Sequence, residues 1–261
     1  MLLPPFRRGP KIVTSASGQA FIGASGWNYK HWTHGVFYPE SLKSAAWLEF
    51  YAQHFKTVEI NNSFYRLPSE EAFRNWRDQT PKDFVFSVKA SRFLTHIKRL
   101  KDPEDPLDSF FSRARRLGAK LGPILFQLPP RFKVDLIRLD RFLRVLKECS
   151  NRKIRSAIEV RDPTWLVSDV FELLARNRVA LCLADWRDMP VTGPVTADFV
   201  YVRRHYGGAG EGDYGRADLN RDVRQIQEWL REKKDVYVYF NNDWKGFAIK
   251  NAQYVQRRLL N

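Results

Sequence analysis

The chain has 261 residues, of which 44% are hydrophobic and 28% charged, so it holds enough apolar material for one large domain. Two cysteines exclude a disulfide framework, and no run approaches the ~20 apolar residues that cross a bilayer, so we expect a cytoplasmic protein outside membranes. The net charge of +15 indicates anionic partners, either small molecules or nucleic acid.

Strand-like and helix-like segments alternate after a basic segment, residues 1 to 18, that we predict to be a flexible tail. Residues 19 to 261 are predicted to form a single domain. Its eight predicted strands are Ala20–Ala24, Thr57–Ile60, Phe84–Val88, Pro123–Gln127, Ser156–Val160, Val179–Ala184, Phe199–Arg203 and Val236–Phe240. Its predicted helices are Ser44–Phe55, Ser69–Asp78, Asp105–Leu117, Asp135–Lys147, Ser168–Arg176, Leu219–Glu232 and Gly246–Leu260.

This alternation predicts an α/β fold of the (β/α)8, TIM-barrel-like kind. A doubly wound open sheet is the alternative, and it is typically marked by a G-x-G-x-x-G turn after the first strand. The turn here reads Gly23-Ala24-Ser25-Gly26 and is followed by Trp27 rather than by a helix. A dinucleotide site is therefore not expected.

Polar side chains recur where the predicted strands end. They are Glu59 and Asn61, Lys89, Gln127, Glu159 and Arg161, Asp185, Arg203 and His205, and Asn241 to Asp243. A strand buried on both faces is expected to be apolar throughout. Because the carboxyl ends of barrel strands meet at one mouth, we predict a shared polar pocket there.

Two glutamates and a histidine are the candidate catalytic residues. Glu59 and Glu159 have unlike neighbours, so they could divide acid and base roles, with Arg161 holding Glu159 ionised. His205 is a candidate because the ordinary pKa of histidine lies near neutrality. The alternative for Glu159 is a structural salt bridge with Arg161 that ties strand ends together, and a single histidine is often only a hydrogen-bonding group.

Three cations among these residues favour recognition of an anion: Lys89, Arg161 and Arg203. Lys89 could also serve as a nucleophilic amine if desolvated, although the sequence specifies no carbonyl substrate. The remaining candidates for substrate binding are Trp27, Asn61, Tyr65, His96, Gln127, Asn241 and Asp243. The aromatic ones either stack on a ligand or fill the space between loops.

No metal ligand is assigned, and no cofactor is required by the sequence. A divalent metal held by Glu59, Glu159, Asp185, His205 and Asp243 is geometrically conceivable, but no ligand spacing supports it. Patterns typical of a P-loop, a zinc finger or a Ser-His-Asp triad are missing as well. The identity of any cofactor therefore stays open.

Several long segments of the chain resemble the YecE-like family, the domain of unknown function numbered seventy-two. They are IGASGWNYKHW at 22–32, FYP at 37–39, FKTVEINNSFYRLP at 55–68, TPKDFVFSVKASRFLTH at 80–96, LGPILFQLPPRF at 121–132, AIEVRDPTW at 157–165, YVRRH at 201–205 and VYVYFNNDWKGFAIKNA at 236–252. The resemblance covers almost everything after the tail. It implies a TIM-barrel-like fold, and it implies no particular reaction, cofactor or substrate.

Three functional hypotheses follow. The leading one is an enzyme, of hydrolase or lyase type, that acts by acid–base chemistry on a phosphate-bearing or nucleic-acid-derived anion. The second is a nucleic-acid-binding module without catalysis, because residues 92 to 155 hold 17 basic and 7 acidic side chains, a balance of 17 − 7 = +10. Its contacts would include Arg113, Arg116, Arg138 and Arg141. The third is a carbohydrate-active enzyme that uses the two glutamates.

Overall fold

The computed structural model describes residues 18–151, 153–186, 189–206 and 212–260. The predicted tail, residues 1 to 18, lies outside this part except for Gly18. Within the described ranges no helix combines the length and the apolar character needed to span a bilayer.

Eight parallel strands form a nearly closed barrel, which confirms the predicted fold. Strands β1 to β6 are Ala20–Ala24, Thr57–Ile60, Val85–Lys89, Leu121–Gln127, Ser156–Glu159 and Ala180–Trp186. They are followed by β7, Met189–Val191, β8, Phe199–Arg204, and β9, Asp235–Phe240. The order around the sheet is β1-β9-β8-β6-β5-β4-β3-β2. All carboxyl ends of the eight parallel strands therefore face the same mouth.

The strands β1 and β2 meet at the seam of the barrel. A single parallel bridge joins Ser25 to Glu59 there. Gly23 makes this approach feasible, because a Cβ at its position would lie 2.3 Å from the carbonyl oxygen of Thr57. The seam thus brings the end of β1 against the first candidate glutamate.

The helices surround the barrel and follow the predicted pattern closely. They are α1 (Trp47–His54), α2 (Asn62–Tyr65), α3 (Glu70–Asp78), α4 (Glu104–Ala114), α5 (Leu136–Cys149), α6 (Ser168–Arg176), α7 (Arg216–Arg231) and α8 (Phe247–Leu260). Ser69 and Asp135 cap α3 and α5 by accepting the backbone N–H groups of Ala72 and Arg138. The buried faces of these helices pack Phe73, Phe110, Phe142 and similar side chains against the strands.

Several short elements were not predicted, including a strand, a short helix and a π-helical turn. The segment after β6 contains β7, which pairs antiparallel with the end of β6 at Ala184, Asp185 and Trp186. The helix α2 follows β2, and a π-helical turn, Phe93–Ile97, follows β3. All three come after a strand end, so they shape the mouth.

A layer of hydrogen-bonded hydroxyl groups fills the barrel directly below the mouth. The hydroxyl of Tyr239 lies 2.7 Å from Thr57 Oγ1 and 2.8 Å from Ser87 Oγ. Thr57 and Ser87 stand two positions before Glu59 and Lys89, and Tyr201 stands two before Arg203. Because side chains two apart share a face of a strand, the polar residues at the mouth point inward above this layer.

Candidate functional site

The centre of the mouth is a buried arginine that lies between the two candidate glutamates. Arg203 Nη2 donates to Glu59 Oε1 at 2.8 Å, and Arg203 Nη1 donates to Glu159 Oε2 at 2.7 Å. Both glutamates are 0% exposed and Arg203 is 1% exposed. Residues from β2, β5 and β8 are thereby joined into one charge cluster.

Glu59 is saturated by donors. Besides Arg203, Ser25 Oγ donates to Glu59 Oε1 at 2.8 Å, and the hydroxyl of Tyr201 donates to Glu59 Oε2 at 2.7 Å. Three donors from β8 and from the end of β1 thus fix the position of this buried carboxylate.

Glu159 binds a second arginine. Arg161 Nη2 is in contact with Glu159 Oε1, and His205 Nε2 lies 3.6 Å from the same oxygen. Burial acts to raise the pKa of Glu159, but Arg203 and Arg161 together hold it well below its usual range. Glu159 is therefore ionised at neutral pH, as the sequence predicts, and the predicted pair with Arg161 is present.

His205 lies beside both arginines. Its Nε2 atom is 3.2 Å from Arg161 Nη2 and 3.4 Å from Arg203 Nη1. Both guanidinium groups can only donate, and the Nδ1 atom of His205 faces another donor, the side-chain amide nitrogen of Asn241, at 3.1 Å. Burial lowers the pKa of His205 despite the nearby Glu159, so the ring is neutral at pH 7.

Arg161 stacks on a tryptophan and keeps free donors. Its guanidinium carbon lies 3.8 Å from the ring centre of Trp186, and Trp186 also packs edge-on against His205 at 5.4 Å. Arg161 is 8% exposed, and its Nε and Nη1 atoms are buried without a hydrogen-bond partner among the described residues. Unsatisfied buried donors on a charged group are costly, and a bound anion would satisfy them.

Lys89 is the third cation at the mouth. Its Nζ atom lies 4.0 Å from the ring centre of Phe64, the side chain is 9% exposed, and no ion pair joins it to any described carboxylate. Burial lowers the pKa of Lys89 to about 8, and Arg203 contributes in the same direction. The two neighbouring glutamates oppose this shift but are already bound to the arginines.

The other predicted binding residues lie around this cluster at different depths. Gln127 Oε1 accepts from Arg203 Nη1 at 3.4 Å, and Asn61 Nδ2 donates to Asn241 Oδ1 at 3.4 Å. His96 packs edge-on against Phe64 at 4.9 Å, and its pKa is lowered to about 4 by burial and then by Lys89. All four residues therefore adjoin the cluster or its lysine.

Three predicted residues lie farther out in the loops. Tyr65 is 75% exposed at the end of α2. Trp27 packs edge-on against Trp76 at 5.3 Å, and the carboxylate of Asp243 lies 3.3 Å from His31 Nε2. Trp27 thus packs its loop against helix α3, which agrees with the space-filling alternative for aromatic residues. Asp243 joins the loop after β9 to the loop after β1.

Sequence reasoning missed three members of the cluster: Ser25, Tyr201 and Trp186. Tyr201 could have been found, because it stands two residues before Arg203 and must share its inward face. Ser25 follows directly after β1 and so lies at the same mouth as the other strand ends. Trp186 gave no signal, since its position depends on the unpredicted pairing of β6 with β7.

The hypothetical metal site does not fit this geometry. Among the described residues, no group of three or more histidine, cysteine, aspartate or glutamate side chains is arranged to hold a metal ion. Arg203 stands between Glu59 and Glu159, and Asp185 accepts from the backbone N–H of His205 at 2.6 Å. The proposed ligands are therefore engaged with other groups.

The carbohydrate hypothesis is also weakened by the cluster. A glycosidase places its two carboxyl groups on either side of the scissile bond, with room for sugar and water between them. Here both carboxylates bind the same arginine and neither is exposed. This arrangement leaves no room for a sugar between them.

The arginines proposed to bind nucleic acid are largely engaged with neighbouring helices and loops. Arg116 lies 3.0 Å from Glu70, Arg138 lies 2.9 Å from Asp135, and Arg141 lies 3.2 Å from Glu104. Arg113 donates to the carbonyl oxygens of Leu67 and Pro68. Their positive charge is thus partly neutralised, which disfavours them as a phosphate-binding stripe.

Comparison with known families agrees with this fold and with the resemblance noted above. The family model described as "Protein of unknown function DUF72" matches residues 21–261. This chain belongs to the DUF72 family. The UPF0759 protein YunF of Bacillus subtilis is 25% identical over 89% of this chain and 92% of its own length. The UPF0759 protein YecE of Escherichia coli K12 is 32% identical over 56% of this chain and 49% of its own length.

Solved structures place this DUF72 protein among similar barrels. A DUF72 family protein from Thermotoga maritima has a TM-score of 0.81 and 29% identity, covering 93% of this chain and 100% of its own. A D-psicose 3-epimerase from Clostridium cellulolyticum H10 has a TM-score of 0.57 and 11% identity, covering 93% of this chain and 98% of its own. At that identity the epimerase supports the TIM-barrel-like fold and nothing about the reaction.

Proposed function

We propose that the mouth of the barrel binds a phosphate-bearing small molecule and that His205 moves a proton during its conversion, in a hydrolase- or lyase-type reaction. The observation that carries the proposal is the set of cationic donors above the buried glutamates. Among the residues that the structure describes, Arg161 Nε and Nη1 have no hydrogen-bond partner, and no carboxylate is paired with Lys89 Nζ. Phosphate oxygens are the acceptors that such donors bind most strongly.

The charge balance supports an anionic ligand. Lys89, Arg161 and Arg203 supply three positive charges, and Glu59 and Glu159 supply two negative ones, so the cluster is +1 with His205 neutral. Both negative groups lie beneath the cations with no exposure of their own. A ligand that enters the mouth therefore meets cations, an imidazole and amides first.

The geometry favours a role for the two glutamates that differs from the one expected from the sequence. Both are fully buried and bound to Arg203, so we assign them to holding Arg203 and Arg161 in place. His205 is the better proton carrier, because its ring is neutral near pH 7 and can accept a proton. Lys89 contributes charge while it is protonated, so ligand binding should weaken as the pH rises above about 8.

Binding of inorganic phosphate tests the anion site directly. We expect Arg161→Gln to weaken binding by about tenfold or more, because charge-assisted hydrogen bonds are lost. The matched control is Arg224→Gln, which removes an exposed arginine on the outer helix α7. Calorimetric titration at low ionic strength gives the affinities. Equal phosphate affinity in the two variants would contradict the proposed site.

Catalysis requires a separate experiment. Phosphomonoesters, phosphodiesters and sugar phosphates should be screened for turnover, with His205→Gln as the test variant and Arg224→Gln as its control. Loss of a general acid or base typically lowers kcat by about 10² to 10⁴. A substrate that is converted equally well by His205→Gln would remove His205 from the mechanism while leaving the anion site standing.

A further inference from the structure

A second basic region lies at the opposite end of the barrel. A cavity of about 430 Å³ opens between the ends of α5 and α6, beside the amino ends of β5 and β6. Five basic residues line it: Lys147, Lys153, Arg155, Arg176 and Arg178. Asp198 is the single acidic residue in this lining. Cavities of roughly 300 to 1,000 Å³ are the usual size for small-ligand sites.

Most of these cations are not neutralised locally. Arg155 is paired with Asp235 at 2.6 Å. Lys147, Lys153 and Arg178 have no acidic partner within 4.0 Å in the described part of the chain. The carboxyl ends of α5 and α6 each contribute about half a negative charge. The five cations contribute +5, Asp198 and Asp235 contribute −2, and the two helix ends together contribute about −1. The net charge at the cavity is therefore about +2.

A buried hydroxyl group in the wall of the cavity gives an independent indication of a ligand. Ser156 is 4% exposed and lines the cavity, and its Oγ atom has no hydrogen-bond partner among the described residues. Glu159 on the same strand points into the barrel, so Ser156, three positions earlier, points outward toward α5 and α6. An acceptor bound in the cavity would satisfy this hydroxyl.

We propose that this cavity binds a small anion that carries two or more phosphate groups. The cations come from both sides, with Lys147 and Lys153 at the end of α5 and Arg176 and Arg178 at the end of α6, which suits more than one phosphate. None of the residues that line this cavity is aromatic, so a nucleobase would find no stacking surface. The phosphate groups themselves are what the site recognises.

Tripolyphosphate is the probe for this site. The test variant is Lys153→Gln combined with Arg178→Asn, because Arg178 has a positive φ of 55° that asparagine tolerates. The matched control, Lys250→Gln with Arg224→Gln, removes one lysine and one arginine that are exposed on α8 and α7. All variants carry Arg161→Gln, so that binding at the mouth is weakened to the same extent in each of them. Thermal melting confirms that each variant is folded.

We expect the control to bind tripolyphosphate more tightly than pyrophosphate and pyrophosphate more tightly than phosphate. The test variant should lose about 100-fold in tripolyphosphate affinity, which is about tenfold for each lost charge-assisted contact. Ser156→Ala should weaken binding without any change of charge. Equal affinity in test and control variants would overturn the proposal, as would a single-stranded oligonucleotide that binds the site while tripolyphosphate does not.

Discussion

Replacing Arg203 by methionine is expected to lower the free energy of unfolding by about 3–5 kcal/mol at pH 7. Arg203 is the shared partner of Glu59 and Glu159, and both glutamates have no exposure to water. Without the guanidinium group, two buried carboxylates lose their principal compensating charge. Urea-induced unfolding followed by tryptophan fluorescence measures the change.

The effect of Arg203→Met should depend on pH in a defined direction. In the unmodified protein the pKa of Glu159 is held below its usual range, so this group stabilises the fold above about pH 4.3, its ordinary value, and less at lower pH. In the variant, one arginine fewer stabilises the buried carboxylate of Glu159. Protonation of that carboxylate then removes part of the free-energy cost of burying its charge. The stability difference between the two proteins should therefore shrink as the pH falls from 7 toward 4.

Arg155→Met is the matched control for this prediction. Arg155 also pairs with a carboxylate, Asp235, at 2.6 Å, but its side chain is 33% exposed. Ion pairs at that exposure contribute about 0–1 kcal/mol, so the control should change stability little. A loss from Arg203→Met no larger than the loss from Arg155→Met would contradict the assignment of Arg203 as the structural centre of the mouth.

Replacing Lys89 by methionine is expected to have the opposite effect on stability and to raise the free energy of unfolding by about 2 kcal/mol at pH 7. The pKa of Lys89 falls from 10.5 to about 8, mainly through burial. At 1.36 kcal/mol for each pKa unit, keeping this amine charged in the folded state costs about 3 kcal/mol. Loss of the contact with Phe64 removes about 1 kcal/mol of that gain.

The pH dependence separates this prediction from an ordinary packing effect. The pKa of Lys89 is lower in the folded state than in the unfolded state. The free-energy cost of burying its charged amine is therefore present in full below pH 8 and disappears as the pH rises to about 10.5. The advantage of Lys89→Met should therefore disappear between those values. Lys98→Met is the control, because Lys98 is 31% exposed beside Asp102 and should change stability little. Lys89→Met destabilising the protein at pH 7 would disprove the argument.

A stabilising Lys89→Met variant would also bear on function. Residues that lower stability in their native setting are commonly those that serve a binding or catalytic role. The same variant should weaken phosphate binding, because one of the three cations at the mouth is lost. Gain of stability together with loss of phosphate affinity is the combined result that the proposed anion site requires.

The strand ends show how much of the site could be predicted. Apolar runs that end in Glu59, Lys89, Glu159 and Arg203 locate the carboxyl mouth, because a strand buried on both faces is otherwise expected to be apolar throughout. All eight predicted barrel strands are present, with boundaries shifted by a few residues. The family resemblance was confirmed by the model that matches residues 21–261.

The partners within the mouth could not be predicted in the same way. Arg203 binds Glu59, 144 positions away, and Glu159, 44 positions away, and no local pattern encodes either pair. The same is true of Arg116 with Glu70 and of the basic cavity near Ser156, which joins side chains from separate segments. The basic composition of residues 92 to 155 drew attention to Arg116 and Arg138 but not to the acidic residues that pair with them.

The sequence by itself determined the barrel and the composition of its mouth, because strand and helix periodicity and the polarity of strand ends are local properties of the chain. Only the tertiary structure decided which of these charged groups have partners among the described residues and which do not. That decision depends on how closely distant strands approach, on burial and on the directions of a few hydrogen bonds. Glu59 and Glu159 both pair with Arg203. In the described part of the chain, Arg161 keeps two donors without a hydrogen-bond partner, and Lys89 contacts the ring of Phe64 rather than a carboxylate.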